Sequence, residues 1–498
     1  MSESTDTDVI VVGGGLVGLA AAAFLAQHGV RTTVFEKHPT TSIHPKARLV
    51  TVRSMELYRS LGIEEEIRAA GDQGNGFVIG QTLSDDLSTW IAPPAEDVES
   101  GNLSPTSPYS CDQQVLEPLV LNAARRFGAE VEFDSAVLGL AERADHVEAT
   151  VRHAGQERIV SAQFVIAADG AGSAIRRHLG ISMSGTEVPG RSVSAVFRAD
   201  LSPALRGRFV DAVFCRAAST FLFARGNSGD RRWQMGTYVR PDWEGRPTED
   251  LTDELSGLLR QATGLSDLEP DFDDVATWST GAFVADRFRS GRIVLAGDAA
   301  HIMPPYGGMG GNTGVHDAHD AAWILAAVIR GDASHRLLDT YERERRPIDQ
   351  VIVDQALLRS RKSPGQKEAS GEIDALTLAL GQRYGAPPGE EFEDPHEPSM
   401  ADGTRAPHLT WRDGRSVHDL LSRRQFTAIV DGPITRTDSR AEFVALGRGD
   451  VATGQRDLWA NTYGRAVGHL VRPDGVLAGE FEALDDVPGL IDRALHIR

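Results

Sequence analysis

The alternation of apolar and polar stretches at the start of the chain predicts a βαβ unit. An apolar run from Val9 to Val12 is typical of a buried strand, and the alanine-rich stretch after the next glycines continues as a helix to about His28. A second apolar run, Thr32 to Glu36, predicts the following strand. The chain therefore opens as an α/β protein.

The stretch from Val9 to Ala26 has no charged residue and is long enough to suggest a membrane span or a signal peptide. Asp6 and Asp8 precede it, where a signal peptide would have Lys or Arg, and four glycines divide it into strand, turn and helix. We therefore expect neither a membrane span nor a targeting segment.

Further patterns predict a second α/β region and an antiparallel sheet. The segment 77–108 is rich in Pro, Ser and Asp and is expected to be irregular, whereas Val115 to Phe127 predicts a helix and Phe164 to Ala168 a buried strand. Three alternating stretches predict an antiparallel sheet that is our candidate substrate domain, namely Ser192 to Ala199, Thr220 to Ala224 and Trp233 to Val239.

The last third of the chain predicts a return to the first domain and then a separate unit. Arg292 to Ala296 is typical of a buried strand, and Gly314 to Arg330 and Leu337 to Arg361 predict long helices. The prolines and acids between Pro387 and Pro407 form a composition that cannot build a core and indicate a linker. Beyond it, two predicted strands suggest a small α/β module, Phe426 to Val430 and His469 to Val471.

These patterns give boundaries for each predicted domain. The nucleotide-binding domain would comprise 1–76, 111–181 and 283–386, interrupted by an insertion of the substrate domain at 77–110 and by the substrate sheet at 182–282. A linker at 387–405 would lead to a C-terminal domain at 406–498. A chain of 498 residues is longer than one core usually organises, which agrees with this division.

Charge and cysteine content exclude several classes of protein. The formal net charge of −20 opposes binding to nucleic acid and to anionic membranes. Cys111 and Cys215 are too few for a disulfide framework, a thiolate zinc site or an iron–sulfur cluster. We expect a cytoplasmic protein without a metal site.

The first chemical motif is Gly13, Gly15 and Gly18 in the spacing G-x-G-x-x-G, with Glu36 at the end of the next strand. Gly13 allows the tight turn, Gly15 lets the backbone approach a pyrophosphate, and Gly18 lets helix and strand pack closely. Glu36 would accept hydrogen bonds from a ribose hydroxyl. The motif predicts a dinucleotide site, but by itself it does not separate FAD from NAD.

Two more motifs follow predicted buried strands. The segment from Asp169 to Arg176 begins with Asp-Gly, which alone is more often only a turn. In the segment from Gly297 to Asn312, Asp298 could bond ribityl hydroxyls, and the bare backbone of the prolines and glycines could lie against a flat ring. A helix beginning near Asn312 would direct its positive end at a reduced flavin.

These three ordered motifs resemble those of the group A flavoprotein monooxygenases, the family of para-hydroxybenzoate hydroxylase, phenol hydroxylase and the polyketide hydroxylases. The resemblance extends from about Asp8 to Pro347. It implies an α/β protein with a Rossmann-like FAD-binding domain of the GR2 type, interleaved with an antiparallel substrate domain. The C-terminal unit resembles the thioredoxin-like tail of some relatives, but it has no cysteine, so we expect a structural or homodimer-contact role.

The resemblance also assigns roles to individual residues. Arg48, in Lys46-Ala47-Arg48, matches the arginine that approaches FAD, and Gln113 matches a glutamine that bonds the cofactor, with Gln114 as its rival. Arg48 and Pro305 are assigned to the catalytic site. The implied cofactor-binding residues are Gly13, Gly15, Gly18, Glu36, Lys37, Arg48, Gln113, Asp169, Asp298, Gly308, Gly310, Gly311 and Asn312.

The chain departs from the family pattern after the glycine run. Asp320 and Ile324 stand where relatives commonly have Asn and Lys, a change that could alter hydrogen bonding near the cofactor. His301, His316 and His319 could suggest a metal site, but their glycine and alanine neighbours favour solvated or capping histidines.

The resemblance implies hydroxylation by O2 of an aromatic substrate of the polycyclic polyketide type. NADPH, as a transient co-substrate, would reduce FAD, and a C4a-hydroperoxyflavin would deliver the oxygen atom. Simple phenols stay open as substrates. Baeyer–Villiger oxygen insertion and a flavin-binding protein without turnover are the alternatives, whereas the Trp-x-Trp-x-Ile-Pro signature of flavin halogenases is absent.

Overall fold

The computed structural model describes residues 5–42, 47–71, 77–86, 102–208, 210–225, 232–362, 370–447 and 449–496. Its strands are β1 (Thr7–Val12), β2 (Thr32–Phe35), β3 (Leu49–Val50), β4 (Phe77–Gly80), β5 (Tyr109–Ser110), β6 (Glu130–Glu132), β7 (Ser135–Glu142), β8 (Val147–His153), β9 (Gln156–Ala167), β10 (Met183–Arg198), β11 (Ala212–Cys215), β12 (Thr220–Arg225), β13 (Arg232–Tyr238), β14 (Asp271–Ala285), β15 (Arg289–Ser290), β16 (Ile293–Leu295), β17 (His301–Ile302), β18 (Phe426–Val430), β19 (Ala441–Ala445), β20 (Gly468–Val471) and β21 (Leu477–Phe481).

The α-helices in the same residues are α1 (Leu16–Gln27), α2 (Val52–Ser60), α3 (Glu64–Ala70), α4 (Gln113–Arg126), α5 (Ala174–His178), α6 (Ser202–Leu205), α7 (Thr252–Thr263), α8 (Met309–Ile329), α9 (Leu338–Ser360), α10 (Ala375–Leu380), α11 (Arg456–Asn461) and α12 (Val487–Ala494).

An eight-stranded mixed sheet carries the glycine-rich turn. Its main path runs β15-β16-β9-β1-β2-β6, in which the five strands from β16 to β6 are parallel. The first half of β9 also pairs with β8, and β8 pairs with β7, both antiparallel. Every residue of β1 and β2 is buried, which explains why both strands are nearly continuous apolar runs.

A seven-stranded sheet forms the second layer of the structure. Its order is β17-β14-β10-β13-β12-β11-β4, antiparallel except where β4 lies parallel to β11. One face packs against α7, with Val193, Phe197 and Met235 in the core between them. Because side chains alternate along a strand, the intervening residues form a second face that lies outside this core.

The seven-stranded sheet contains more strands than the three alternating stretches of the sequence predict. The segment 77–108, expected to be irregular, contributes β4 at one edge, and its residues 87–101 lie outside the described residues. At the other edge, β14 continues to Ala285 and β17 adds His301–Ile302. Strand β17 thereby joins this edge of the sheet to the chain between Asp298 and Pro305.

The C-terminal unit is a four-stranded sheet in the order β19-β18-β20-β21. Strand β18 is parallel to β19 and antiparallel to β20, and β20 is antiparallel to β21. The proline-rich segment before it runs in turns and isolated bridges, such as Arg383 to Thr404. Met400, from this segment, lies in the core of the C-terminal unit.

Among the described helices, none has the length and apolar character that crossing a membrane requires. The stretch 9–26 is divided into β1, a turn and α1, as its glycines predict.

Candidate functional site

The turn after β1 needs glycine at two positions. Gly13 has φ +107°, and a Cβ atom there would lie 2.3 Å from the carbonyl oxygen of Ala168. A Cβ atom on Gly18 would lie 1.9 Å from the carbonyl oxygen of Gly13, so α1 packs directly on the turn. At Gly15 the first neighbour would be Oε1 of Glu117, at 3.9 Å. The turn is therefore tight towards the sheet and open at Gly15, as approach of a phosphate requires.

Two helix N-termini converge beside this turn. Helix α1 begins after Gly15 and α8 after Gly308; neither N-cap residue supplies a side-chain cap, and neither helix has an acidic residue in its first turn. A Cβ atom on Gly311 would lie 3.5 Å from Cδ2 of Leu16, so the two first turns lie side by side. Helix N-termini favour negative charge. The pair fits a cofactor that has a pyrophosphate and a ring that becomes negative on reduction.

Glu36, at the end of β2, is bound to the glycine-rich turn. Its Oε2 accepts a hydrogen bond from the backbone N–H of Gly14 at 2.5 Å, and its Oε1 accepts one from the backbone N–H of His38 at 2.9 Å. Lys37 is exposed. The carboxylate thus lies at the edge of the turn where a ribose would be bound.

Gln113 and Gln114, the two candidates for the glutamine that bonds the cofactor, have different hydrogen-bond partners. Gln113 accepts a hydrogen bond from the backbone N–H of Ala47 at 3.3 Å and donates to Oε1 of Glu117 at 2.7 Å. Gln114 accepts from the guanidinium of Arg232, on the substrate sheet, at 3.3 Å. Gln113 is therefore the one beside the helix N-termini.

Arg48 links the nucleotide-binding side to the substrate sheet. Its guanidinium lies 3.1 Å from Oδ1 of Asp112 and 3.2 Å from Oδ1 of Asp211, which precedes β11. Arg225, at the end of β12, pairs with the same Asp112 oxygen at 2.5 Å and also bonds Gln234. Two arginines and two aspartates therefore alternate between the nucleotide-binding side and the substrate sheet, in the order Asp211, Arg48, Asp112 and Arg225. Lys46, the start of the motif that contains Arg48, lies outside the described residues.

The two aspartates that follow buried strands occupy different environments. Oδ1 of Asp169 accepts from the Ser173 hydroxyl at 2.5 Å and Oδ2 accepts from the backbone N–H of Ile175 at 3.2 Å, so this carboxylate holds the start of α5. Asp298 lies in a short 3-10 turn between β16 and β17, with an exposed side chain. Asp298 is thus available to a ligand, whereas Asp169 is largely committed to its own turn.

The proline and glycine segment between β17 and α8 faces the substrate sheet. Pro305 is exposed, and the hydroxyl of Tyr306 lies 3.0 Å from the hydroxyl of Tyr238, at the end of β13. Burial, together with this hydrogen bond, raises the pKa of Tyr306, so it stays protonated at neutral pH. This contact is the second link between the substrate sheet and the FAD motifs.

Asn312 has a structural role within this segment. Helix α8 begins at Met309, three residues before the expected start near Asn312. The Asn312 side chain accepts from the backbone N–H of Thr51 at 2.9 Å and donates to the carbonyl oxygens of Leu49 and Gly308 at 2.9 and 2.8 Å. It therefore fixes the segment that follows Arg48 against the first turn of α8.

The expectation that His301, His316 and His319 are solvated or capping is wrong, because all three are buried. Nε2 of His301 lies 2.8 Å from Oδ2 of Asp317. Burial by itself lowers the pKa of His301, but the charges of Asp317 and Asp349 outweigh it and raise this pKa to about 9. His301 is therefore a buried cation at neutral pH.

His301, Asp317 and Asp349 are close enough for their ligand atoms to surround a metal ion, since these lie within 4.8 Å of one another. Arg345, however, already bonds Asp317 at 2.9 Å and Asp349 at 2.6 Å. A guanidinium in contact with both carboxylates competes with a metal cation for the same charge. This arrangement favours a structural ion cluster.

Asp320, which stands where relatives commonly have Asn, lies in the same buried region as His301, Asp317 and Arg345. Asp320 accepts a hydrogen bond from the Tyr384 hydroxyl at 2.6 Å, and its other oxygen lies 3.3 Å from Nδ1 of His319. Ile324 is buried in the large apolar core. The two departures thus affect the packing of α8 against the residues after α10, behind the helix end that faces the cofactor.

The sequence interpretation missed several residues that shape the site: Asp112, Glu117, Asp211, Arg225, Tyr238 and Tyr306. A signal was present for Arg225 and Tyr238, because alternation along β12 and β13 places them on the face away from the core. No local pattern marks Asp112 or Asp211, since their partners are distant in the sequence.

Taken together, the glycine turn, the two helix N-termini and the facing antiparallel sheet define a flavin-dependent oxidoreductase with a separate substrate sheet. The chain matches the FAD binding domain family over residues 6–356. It belongs to this family and is an FAD-dependent monooxygenase.

Two curated relatives and one solved structure show the extent of the similarity. The chain is 34% identical to 4-methyl-5-nitrocatechol 5-monooxygenase of Burkholderia sp, over 97% of this chain and 95% of that protein. It is 32% identical to tetracenomycin A2 monooxygenase-dioxygenase of Streptomyces glaucescens, over 99% and 96%. It also resembles aklavinone-11 hydroxylase, solved with FAD and aklavinone, with a TM-score of 0.85, 28% identity and coverage of 99% and 100%.

Proposed function

We propose that this monooxygenase uses NADPH and O2 to hydroxylate a polycyclic, polyketide-type aromatic substrate that binds between the seven-stranded sheet and the FAD site. The observation that carries the proposal is the pair of links across this space, Arg48 to Asp211 and Tyr306 to Tyr238. They hold one face of the sheet opposite the segments where a flavin ring fits. An aromatic substrate on that face would lie next to the ring.

The cofactor would be held by the residues that surround the two helix N-termini. Gly13, Gly15 and Gly18 form the turn for the pyrophosphate, Glu36 with Lys37 beside it takes the adenosine ribose, and Asp298 bonds the ribityl chain. The further contacts in this proposal come from Arg48, Gln113, Asp169, Pro305, Gly308, Gly310, Gly311 and Asn312. The open surface at Gly15 and the exposed carboxylate of Asp298 support this assignment.

When bound, reduced FAD supplies the activation of O2. The residues of this chain position the substrate, hold charge and exclude water. Tyr306 and Tyr238 close one end of the space with their hydroxyls, and the Arg48 and Asp211 pair closes the other. Keeping water away from the reacting atoms favours oxygen transfer over release of hydrogen peroxide.

The names of the relatives support an aromatic substrate. Most of these names also support a substrate of the polyketide class. One curated relative acts on a nitrocatechol, and two others are named for a tetracenomycin and for a polyketide. NADPH would bind transiently, because the sequence has a single glycine fingerprint for a dinucleotide.

We further assign the C-terminal unit to a thioredoxin-like fold that acts as a brace or a dimer contact. Its strand order and directions support this, with two parallel strands followed by an antiparallel pair and α12. Arg472 bonds both oxygens of Glu344, on α9, at 2.8 Å, and Arg59 bonds Asp419. These buried and half-buried ion pairs fix the unit to the rest of the chain.

The proposal is tested with purified holoenzyme, NADPH, isotopically labelled O2 and phenolic substrates of one to four rings. We expect a yellow protein that releases FAD on denaturation, NADPH oxidation stimulated by substrate, and one labelled oxygen atom in a hydroxylated product. Oxygen inserted into a ring bond would identify a Baeyer–Villiger enzyme instead. NADPH oxidation that never labels a product would identify an oxidase, and absence of NADPH oxidation a flavin-binding protein without turnover.

A further inference from the structure

The face of the seven-stranded sheet that lies away from its core has a distinct composition. On β13, Trp233 and Met235 point into the core, so Gln234, Gly236 and Tyr238 lie on the opposite face. On β12, Leu222 points into the core and Phe221, Phe223 and Arg225 share the opposite face. We call this surface, from which Tyr238 reaches Tyr306, the free face.

Gly236 lies in the middle of the free face. Pairing across the strands places Phe221, Gly236, Ser194 and Ala276 in one row over four neighbouring strands. A Cβ atom on Gly236 would first meet Cβ of Phe221 at 3.9 Å and a ring carbon of Phe223 at 4.0 Å, so the described residues leave room for a side chain above it. The row is thus a depression with a phenylalanine wall on one side.

A side-chain hydrogen bond lies at either end of this depression. Gln234 is bonded to Arg225 at one end, and Tyr238 is bonded to Tyr306 at the other. Tyr238 is four positions after Gln234 along the extended strand, which corresponds to about 13 Å. This span exceeds a single aromatic ring and suits a flat system of several fused rings.

Arg225 is a separate observation that indicates ligand binding at the end of the depression where Gln234 lies. It is buried, with 5% of its side chain exposed, and its buried Nε has no hydrogen-bond partner among the described residues. The guanidinium carbon of Arg225 lies 5.7 Å from the centroid of the Phe223 ring, so the Nε–H group lies on the same face of the sheet as Phe223, the free face. A buried N–H without a partner is costly, and an oxygen substituent of a bound ring would satisfy it.

From this arrangement we infer that Gly236 determines the size of the substrate, because the missing side chain makes room for the second and further rings of a fused aromatic system. The inference rests on the proposed function and specifies its substrate class. Aromatic walls favour a flat ring, and the absence of a Cβ atom lets that ring approach the backbone of β13. A side chain at position 236 would leave room for one ring only.

The test compares wild type with Gly236→Ala and Gly236→Val on a one-ring catechol and on a four-ring phenol. The backbone of Gly236 is not in the positive-φ region, so a side chain causes no strain there. We expect Gly236→Val to lower kcat/KM for the four-ring phenol by at least about tenfold, through a higher KM, while the value for the catechol stays within about threefold. The kcat/KM of Gly236→Ala for the four-ring phenol should lie between the values of wild type and Gly236→Val.

Two controls separate this effect from a general defect. Gly139→Ala adds the same methyl group to β7, where a Cβ atom has no neighbour within 4 Å, and should change neither substrate's kinetics. FAD content and the thermal midpoint are measured for each variant, and binding of both aromatics is followed by the perturbation of flavin absorbance without NADPH.

The outcomes distinguish the inference from the proposed function. Selective loss of the four-ring substrate supports both. Equal loss of both substrates with FAD retained, or no change in either, overturns the role of Gly236 and leaves hydroxylation intact. If wild type hydroxylates only the catechol, the inference fails although the enzyme is a hydroxylase. If wild type labels neither product, the proposed function fails as well.

Discussion

The carboxylate of Glu117, on α4, accepts a hydrogen bond at 3.0 Å from the backbone N–H of Leu16, in the first turn of α1. The same side chain accepts from the backbone N–H of Ser42 at 2.8 Å and from Gln113 at 2.7 Å. One buried carboxylate therefore connects the nucleotide turn, the segment before Arg48 and the predicted cofactor glutamine.

We predict that Glu117→Ala destabilises the protein, because it leaves buried donors without partners. An unpaired buried polar group costs about 1–3 kcal/mol, and we expect a loss of about 2–4 kcal/mol in the free energy of unfolding. The measurement is thermal and denaturant unfolding of the holoenzyme. Glu65→Ala, at an exposed position on α3, is the control. An unchanged unfolding midpoint in Glu117→Ala would contradict the prediction.

We predict that Asp298→Ala weakens FAD binding and leaves the fold unchanged, since the carboxylate is exposed and would bond the ribityl chain. A hydrogen bond to a charged acceptor contributes about 1.5–3 kcal/mol, so the Kd for FAD should rise by about 10- to 100-fold. The Kd is measured by flavin fluorescence during reconstitution of the apoprotein, with circular dichroism as the check on folding. FAD affinity equal to that of wild type removes Asp298 from the site.

We predict that Arg48→Ala uncouples NADPH oxidation from hydroxylation. Loss of the guanidinium leaves Asp112 and Asp211 without the bridge that fixes the substrate sheet to the FAD side, and misplacement by about 1 Å costs up to about 100-fold in rate. The measurements are hydrogen peroxide and product formed per NADPH consumed, with FAD content expected to persist. Arg260→Ala, whose pair with Glu269 is at the surface, should stay coupled. Full coupling in Arg48→Ala would show that the bridge does not position the substrate.

We predict that stability falls as pH rises from 6.5 to 9, because of His301. Its folded pKa of about 9 lies above the ordinary value of 6.5, so the stabilisation by Asp317 is complete below 6.5 and disappears as the pH passes 9. The difference corresponds to about 3 kcal/mol. Unfolding is measured over this pH range for wild type and His301→Gln, and only wild type should show the added slope. Parallel curves for the two proteins would mean that His301 is neutral when folded.

Much of the fold follows from local pattern. The runs that form β1 and β2 are buried on both sides of a parallel sheet, and such strands are recognisable from composition alone. The alternating stretches of the substrate domain are confirmed as β10, β12 and β13. The ends differ by at most one residue at β12 and β13, whereas β10 begins at Met183, nine residues before Ser192. The position of β4 was not predictable, because its pairing with β11 joins residues more than a hundred positions apart.

The sequence by itself determined the glycine turn, the order of the FAD motifs and the family, because these depend on residue types that a nucleotide requires at fixed local spacing. The tertiary structure decided which side chains meet: that Arg48 bridges two aspartates, that three histidines are buried, and that Gly236 lies between the contacts of Gln234 and Tyr238. Which charged side chains pair depends on contacts between distant segments, so no local pattern encodes the pairing.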